Sequence, residues 1–222
     1  ILQDLQARFE GFAQGAKSIL KGDLSDSLDE SDTILISKII KVDQGYTTAL
    51  QALLGIAVDA LFVGNINKSF RVIKQLSQKK LGRACLQFKK ELHYKDYASD
   101  LPDFLVPAIS KINILEKSLT GTLKNYFDGC YFCDEIEDFI EFWEDNSKFN
   151  FLFVSSKNGE LLDSRGLLYG GVGVTEQPSG VLERINQITL IESEIKSDKI
   201  ELDRIKASYE KVEVERNKAN AQ

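Results

Sequence analysis

The sequence predicts an α+β domain carried between two arms of an antiparallel coiled coil, and three observations lead there. Segments of helical and strand-like hydrophobic period alternate from residue 11 to about 177, which is the pattern of mixed helix and sheet layers. Beyond Gly180 there is neither Gly nor Pro, and Ile188, Ile195, Leu202 and Tyr209 fall seven apart. Ile191, Ile205, Val212 and Ala219 run on a second track, broken at Asp198, and the offset between the tracks is the a/d spacing of a coiled coil. At the other end Leu2, Leu5, Phe9 and Phe12 make a shorter helical stripe. The simplest geometry takes the chain up one helix (1–10), through a globular part (11–177) and down the other (178–222). A helix of that second length reaches about 60 Å, too long to lie on its own domain.

Within the globular part, Ile34 to Val42 fits a helix by spacing and a strand by composition. Ala57 to Val63 reads as a strand, and Asn65 or Asn67 caps the helix after it, with Phe70, Ile73 and Leu76 inward and Lys68, Arg71 and Gln75 outward. Ala84 to Phe88 and Gly129 to Cys133 read as strands. Asp134 to Asp145 reads as an amphipathic helix, with Ile136, Phe139, Ile140 and Trp143 on one face and acids elsewhere. Phe151 to Ser155 and Leu161-Leu162 are β runs joined through Asn158-Gly159.

Composition excludes more than it offers. The net charge of −6 argues against a protein dominated by nucleic-acid binding, and the single His leaves few routes to a His-centred catalytic or metal site. Three Cys cannot all pair, which fits a reducing compartment. The absence of Met implies an excerpt of a longer chain, and the sequence shows no signal-peptide pattern and no apolar run of the roughly 18 residues a membrane span needs. Cys130-Tyr-Phe-Cys133 has half-zinc-site spacing, but residues i and i+3 of a strand point to opposite faces, and only Cys85 and His93 remain as further ligands. Gly15-Ala-Lys-Ser18 lacks the spacing of a phosphate loop, and Gly171-Val-Gly173 fails as a dinucleotide fingerprint. No cofactor and no metal are expected. The acids at 134 to 145 read as a solvated helix face.

Two features carry a positive expectation. Ile66 to Lys90 holds Lys68, Arg71, Lys74, Lys79, Lys80, Arg83, Lys89 and Lys90 with no acid, a local positive surface able to contact DNA phosphates without reading bases. Gly159, Gly166, Gly170, Gly171 and Gly173 fall within fifteen residues otherwise apolar and strand-like. Glycine weakens strands, so that density calls for bulges or for the close approach of another backbone, such as a second chain adding to the strand edge.

Coiled coil in, glycine-rich mixed domain, coiled coil out: in this order the motifs resemble the hinge of bacterial-type structural maintenance of chromosomes (SMC) proteins. Gly11-Phe12 with Gly15-Ala-Lys-Ser-Ile-Leu20, Gly45-Tyr46, Ala49-Leu50, Leu54-Gly55, Leu81-Gly82-Arg83-Ala84 with Phe88, and Ser155 to Gly159 with Gly166 and Gly170-Gly171 carry the likeness. Thr47, Phe70 and Arg165 depart from it. The resemblance implies two similar subdomains (roughly 11–100 and 101–177) and a homodimer joined through Gly159, Gly166, Gly170 and Gly171. It further implies a non-enzymatic dimerisation hinge of a condensin-like, chromosome-organising ATPase, whose ATP-binding heads and accessory subunits lie elsewhere. The expected setting is the nucleoid in the cytoplasm, away from any membrane. A DNA-binding module whose dimerisation is incidental is the alternative.

Overall fold

The architecture follows from where the short apolar runs send their backbone hydrogen bonds. The computed structural model describes residues 11–24, 28, 34–88, 101–171 and 181–219. The expected stub at 1–10, and Lys89, Lys90, His93 and Gly173, lie outside the described residues.

Helix α1 spans Gln14–Leu20. The ambiguous run at 34–42 takes both forms: β1 (Ile34–Leu35), one turn of helix α2 (Ile36–Ile39) and β2 (Ile40–Val42). Helix α3 (Thr47–Leu54) ends at Gly55, whose φ of 48° turns the chain into a 3-10 segment, Gly55–Asp59. The strand expected from Ala57 therefore begins only at β3 (Leu61–Val63), because the 3-10 turn takes its first residues. Helix α4 (Ile66–Gln78) is capped by Asn65, whose side-chain oxygen accepts the Lys68 N–H at 2.9 Å, and β4 is Leu86–Phe88. There follow β5 (Val106–Pro107), β6 (Ile112–Ile114), α5 (Thr120–Tyr126), β7 (Cys130–Cys133) and α6 (Ile136–Asp145). The last elements are β8 (Phe153–Ser156), β9 (Leu161–Asp163), β10 (Leu168–Tyr169) and the long α7 (Val181–Ala219).

Strands β1, β3 and β4 form one sheet, with β3 and β4 parallel across the α4 crossover. A second sheet has the order β10-β9-β8-β7-β5, and the β2–β6 pair links Ile40–Val42 to Ile112–Ile114. One apolar cluster fills the space under the first sheet, around Leu35, Leu61, Val72 and Leu76. Another lies on the α6 side of the second sheet, where Phe139 stacks edge-on against Phe151 at 4.9 Å. Between them a third cluster draws on both halves, from Ile36 and Leu50 to Phe127 and Phe132, and includes Leu182 of α7. α6 keeps the face read from its sequence, with Ile136 and Phe139 buried and Ile140 and Trp143 half-buried.

Helix α4 does not. Its inward face is Ser69, Val72 and Leu76, whereas Phe70 is 68% and Ile73 40% exposed. Lys68 and Gln75, expected in water, are half-buried. The helix carries two apolar tracks, and the polar residue on one of them is no obstacle to burial because the Ser69 hydroxyl donates to the Asn65 carbonyl at 3.0 Å.

The loop that returns from α4 to β4 explains two glycines. Gly15, in the first turn of α1, donates its N–H to the Arg83 carbonyl at 2.9 Å, and a Cβ on Gly15 would sit 2.5 Å from that same carbonyl. Gly82, at φ 92°, closes against Gln14 from the other side. The buried carboxylate of Asp59 accepts the Ala13 N–H at the start of α1. Gly15→Ala removes a residue that disfavours helix by about 1 kcal/mol, yet it forces Cβ into backbone. The expected outcome is a net loss of about 1–3 kcal/mol in the unfolding free energy measured by urea titration.

Candidate functional site

The glycine-rich segment forms a hairpin whose shape is set by one carboxylate. Asp163-Ser-Arg-Gly166 is a turn with Asp first and Gly fourth, and Gly166 takes φ 86° while its N–H donates to the Asp163 carbonyl at 2.9 Å. The Asp163 Oδ1 accepts the backbone N–H of Arg165 (2.9 Å) and of Leu167 (3.1 Å). Its Oδ2 is held by the Arg165 guanidinium, Nε at 2.9 Å and Nη2 closer still. The Arg165 hydrogen bonds, with the two backbone donors behind them, hold the Asp163 carboxyl below its ordinary range. Asp163 was not singled out from sequence, although the Asp-x-x-Gly turn signal was there to read.

The four singled-out glycines do not sit at one point. Gly159 (φ 96°) closes the β8–β9 turn and lies against Thr48, whose Cγ2 would be 3.0 Å from an added Cβ. Gly166 closes the β9–β10 turn at the opposite end of β9 and faces open space. Gly170 and Gly171 follow β10 and return to the Gly159 end, where Gly170 passes the Glu160 side chain and Gly171 (φ 97°) meets nothing within 4 Å. Turn geometry thus accounts for Gly159 and Gly166 within the chain itself. It does not account for Gly170, which has no positive φ.

Strand β10 is an edge. It pairs with β9 through Leu168↔Leu162 and Tyr169↔Leu161, and its outer side meets no strand among the described residues. Leu167, Leu168 and Tyr169 are 64%, 56% and 66% exposed. Proteins usually blunt an open edge with charge or proline, whereas this one is apolar. In the first sheet β4 is likewise an edge among the described residues, beyond β3.

Helix α7 is rooted in the core and then leaves it. Leu182 and Ile188 are buried, and the Asn186 side-chain amide donates to the Thr47 hydroxyl at 3.1 Å. From Leu190 to Glu210 every residue is exposed, including Ile191, Ile195, Leu202, Ile205 and Tyr209 of the heptad tracks.

The basic residues line one helix and its exit. Arg71 and Lys74 are exposed on α4, and Lys79, Lys80 and Arg83 are exposed after it, with Lys79 donating to the Asp23 carbonyl at 3.2 Å. Cys130 and Cys133 belong to clusters on opposite faces of β7, and burial pushes both thiols up to about 12. No cluster of three or more metal-ligating side chains occurs among the described residues. No helix among the described residues is long and apolar enough to cross a membrane.

The family model of the flexible hinge domain of SMC proteins matches residues 32–141. An asymmetric dimer of the Geobacillus stearothermophilus SMC hinge domain is similar in fold at TM-score 0.72 and 18% identity, over 91% of this chain and 81% of that one. The folded elbow of cohesin gives 0.62 at 17% identity, over 99% of this chain and 32% of that one. A Pyrococcus furiosus Smc hinge domain with an extended coiled coil gives 0.52 at 20% identity, over 93% and 78%. No curated protein matches in sequence.

The role of Asp163 has a direct test. Because its carboxyl is stabilised in the folded state, its contribution is complete above the ordinary value of 3.8 and is lost as pH falls through the lowered value. Hydrogen exchange should show the Arg165 and Leu167 amides losing protection, relative to the Val154 amide, only at that acid end. Asp163→Asn should show weakened protection of the Arg165 and Leu167 amides already at pH 7, with the β8–β9 amides unchanged.

Proposed function

The chain carries the hinge domain of an SMC protein, and from that premise we propose that it joins two copies of itself through open strand edges and holds two coiled-coil arms together. The observation that carries this reading is the β10 edge, where unpaired backbone groups stand beside exposed Leu167, Leu168 and Tyr169. The complementary edge in the reading is β4 of the second copy, so each copy gives one edge and receives the other. The pairing closes as a two-fold ring. Gly170 and Gly171 leave room beside the strand for the incoming backbone, and Gly166 and Gly159 shape the hairpin that presents it.

In this reading the globular part divides into subdomains at 11–100 and 101–177. Helix α7 is proposed to pair antiparallel with the short coiled-coil stub expected at 1–10, a stub long enough to reach only the first of the exposed heptad residues. The work is association and transmission, with no catalysis in the hinge. The rooting of α7 through Leu182, Ile188 and the Asn186–Thr47 hydrogen bond supports it, since a rotation of the arm is then felt in the core. The larger protein is proposed to be a condensin-like chromosome-organising ATPase with heads and accessory subunits at the far ends of the arms, acting on the nucleoid in the cytoplasm.

Changing Gly170 and Gly171 together to valine should leave a folded monomer by light scattering. A dimer of unchanged affinity overturns the assigned edge.

A second reading concerns DNA. The exposed Arg71, Lys74, Lys79, Lys80 and Arg83 favour a phosphate-contacting surface, extended in sequence by Lys68, Lys89 and Lys90. Neutralising Lys79, Lys80 and Arg83 should flatten the slope of log affinity against log salt by about 0.9 per lost duplex phosphate contact, and by less on single strands. An unchanged slope in a titration with duplex DNA removes this reading and leaves the dimer untouched.

A further inference from the structure

The flank of α4 that faces solvent is apolar where it should be wet. Ile66, Phe70 and Ile73 are 58%, 68% and 40% exposed and lie three and four residues apart, so they form one continuous stripe. At 3.6 residues per turn the stripe stands about 90° round the helix from the buried Ser69, Val72 and Leu76. Parallel strands joined by a helix cross over with a right hand, and for β3–α4–β4 that hand puts the stripe on the β4 side, above the open edge. The opposite flank, with Lys68 and Gln75, is half-buried.

Resting on the edge-pairing reading above, we infer that the Ile66–Phe70–Ile73 stripe is the apolar seat of the dimer, filled by Leu168 or Tyr169 of a second copy. Three considerations select that occupant. The stripe is continuous with a strand edge, so whatever pairs with β4 must pass directly beneath it. Consecutive strand residues project to opposite faces, so either register of an incoming β10 delivers Leu168 or Tyr169 to the α4 side. Finally, β4 and β10 are only three and two residues long, and their backbone pairing falls far short of the roughly 800 Å² per partner of a stable interface. Side chains beside the strands must supply the rest, and among the described residues the stripe and Leu167–Tyr169 are exposed apolar residues next to the two edges.

The test compares the 222-residue chain with Phe70→Ser and with the double variant Phe70→Ser, Ile73→Ser by sedimentation equilibrium. Both positions are exposed, so far-UV circular dichroism and the melting temperature of the monomer should hold. The dimer dissociation constant should rise at least tenfold for the single change and further for the double. Values within threefold of the parent overturn the seat, as does a loss of DNA affinity with unchanged dimerisation, which would assign the stripe to nucleic acid. Leu168→Pro separates the two ideas: it breaks the strand pairing itself. If Leu168→Pro abolishes the dimer while the Phe70 variants keep it, the edge reading stands and the seat falls. A parent chain that is monomeric at all concentrations removes both. A photocrosslinker, Phe70→p-benzoylphenylalanine, should capture the segment 165–171 of the second copy; capture of any other segment also overturns the seat.

Discussion

Backbone amides at an open strand edge must find partners, and among the sheet edges of the described residues two carry the reading of this molecule. Strand β10 at the end of the larger sheet and β4 at the end of the smaller one are short, and β10 is flanked by exposed leucines and a tyrosine instead of the lysines or prolines that guard a solvent edge. The Asp163 turn fixes the angle at which β10 leaves β9, and Gly166 permits that turn. The interface proposed for the hinge therefore depends on a carboxylate whose hydrogen bonds to Arg165 and Leu167 lie within its own turn.

The second organising contact is internal. Gly15-Ala-Lys-Ser18 and Leu81-Gly82-Arg83-Ala84 are distant in sequence, but they meet at the Gly15 N–H and the Arg83 carbonyl, with Gly82 against Gln14. This contact ties the beginning of the globular part to the loop that leads into β4. At the other end, α7 roots beside α2 and α3 through Leu182, Ile188 and the Asn186–Thr47 hydrogen bond. Thr47, which departs from the family pattern, has a partner in this chain's own long helix.

Legibility in the sequence tracked how many structural states each pattern could support. Helix α6 was readable because one apolar track and five acids leave a single solution, and Asn65 was readable because a cap is a local hydrogen bond. Helix α4 was not, since 66/70/73 and 69/72/76 both have helical spacing, and a hydroxyl that can bond its own backbone made the less apolar track the buried one. The run at 34–42 gave contradictory signals because it contains a strand, a helical turn and another strand in succession. The glycines pointed to the hairpin at 159–171, but they could not say which were turns and which lay beside an open edge.

By itself, the sequence determined the alternation of helices and strands, the heptad tracks of the final helix, the inert placement of Cys130 and Cys133 on opposite strand faces, and the order of motifs that resembles a hinge. Periodicity and local hydrogen bonding reach that far, because they are properties of neighbours along the chain. Only the tertiary structure decided which face of α4 is buried, which strands end their sheets unpaired, and how far α7 stays docked before it leaves the core. Those outcomes depend on crossover handedness and on close backbone approaches such as Gly15 to Arg83, which join residues far apart in sequence and leave no periodic trace in it.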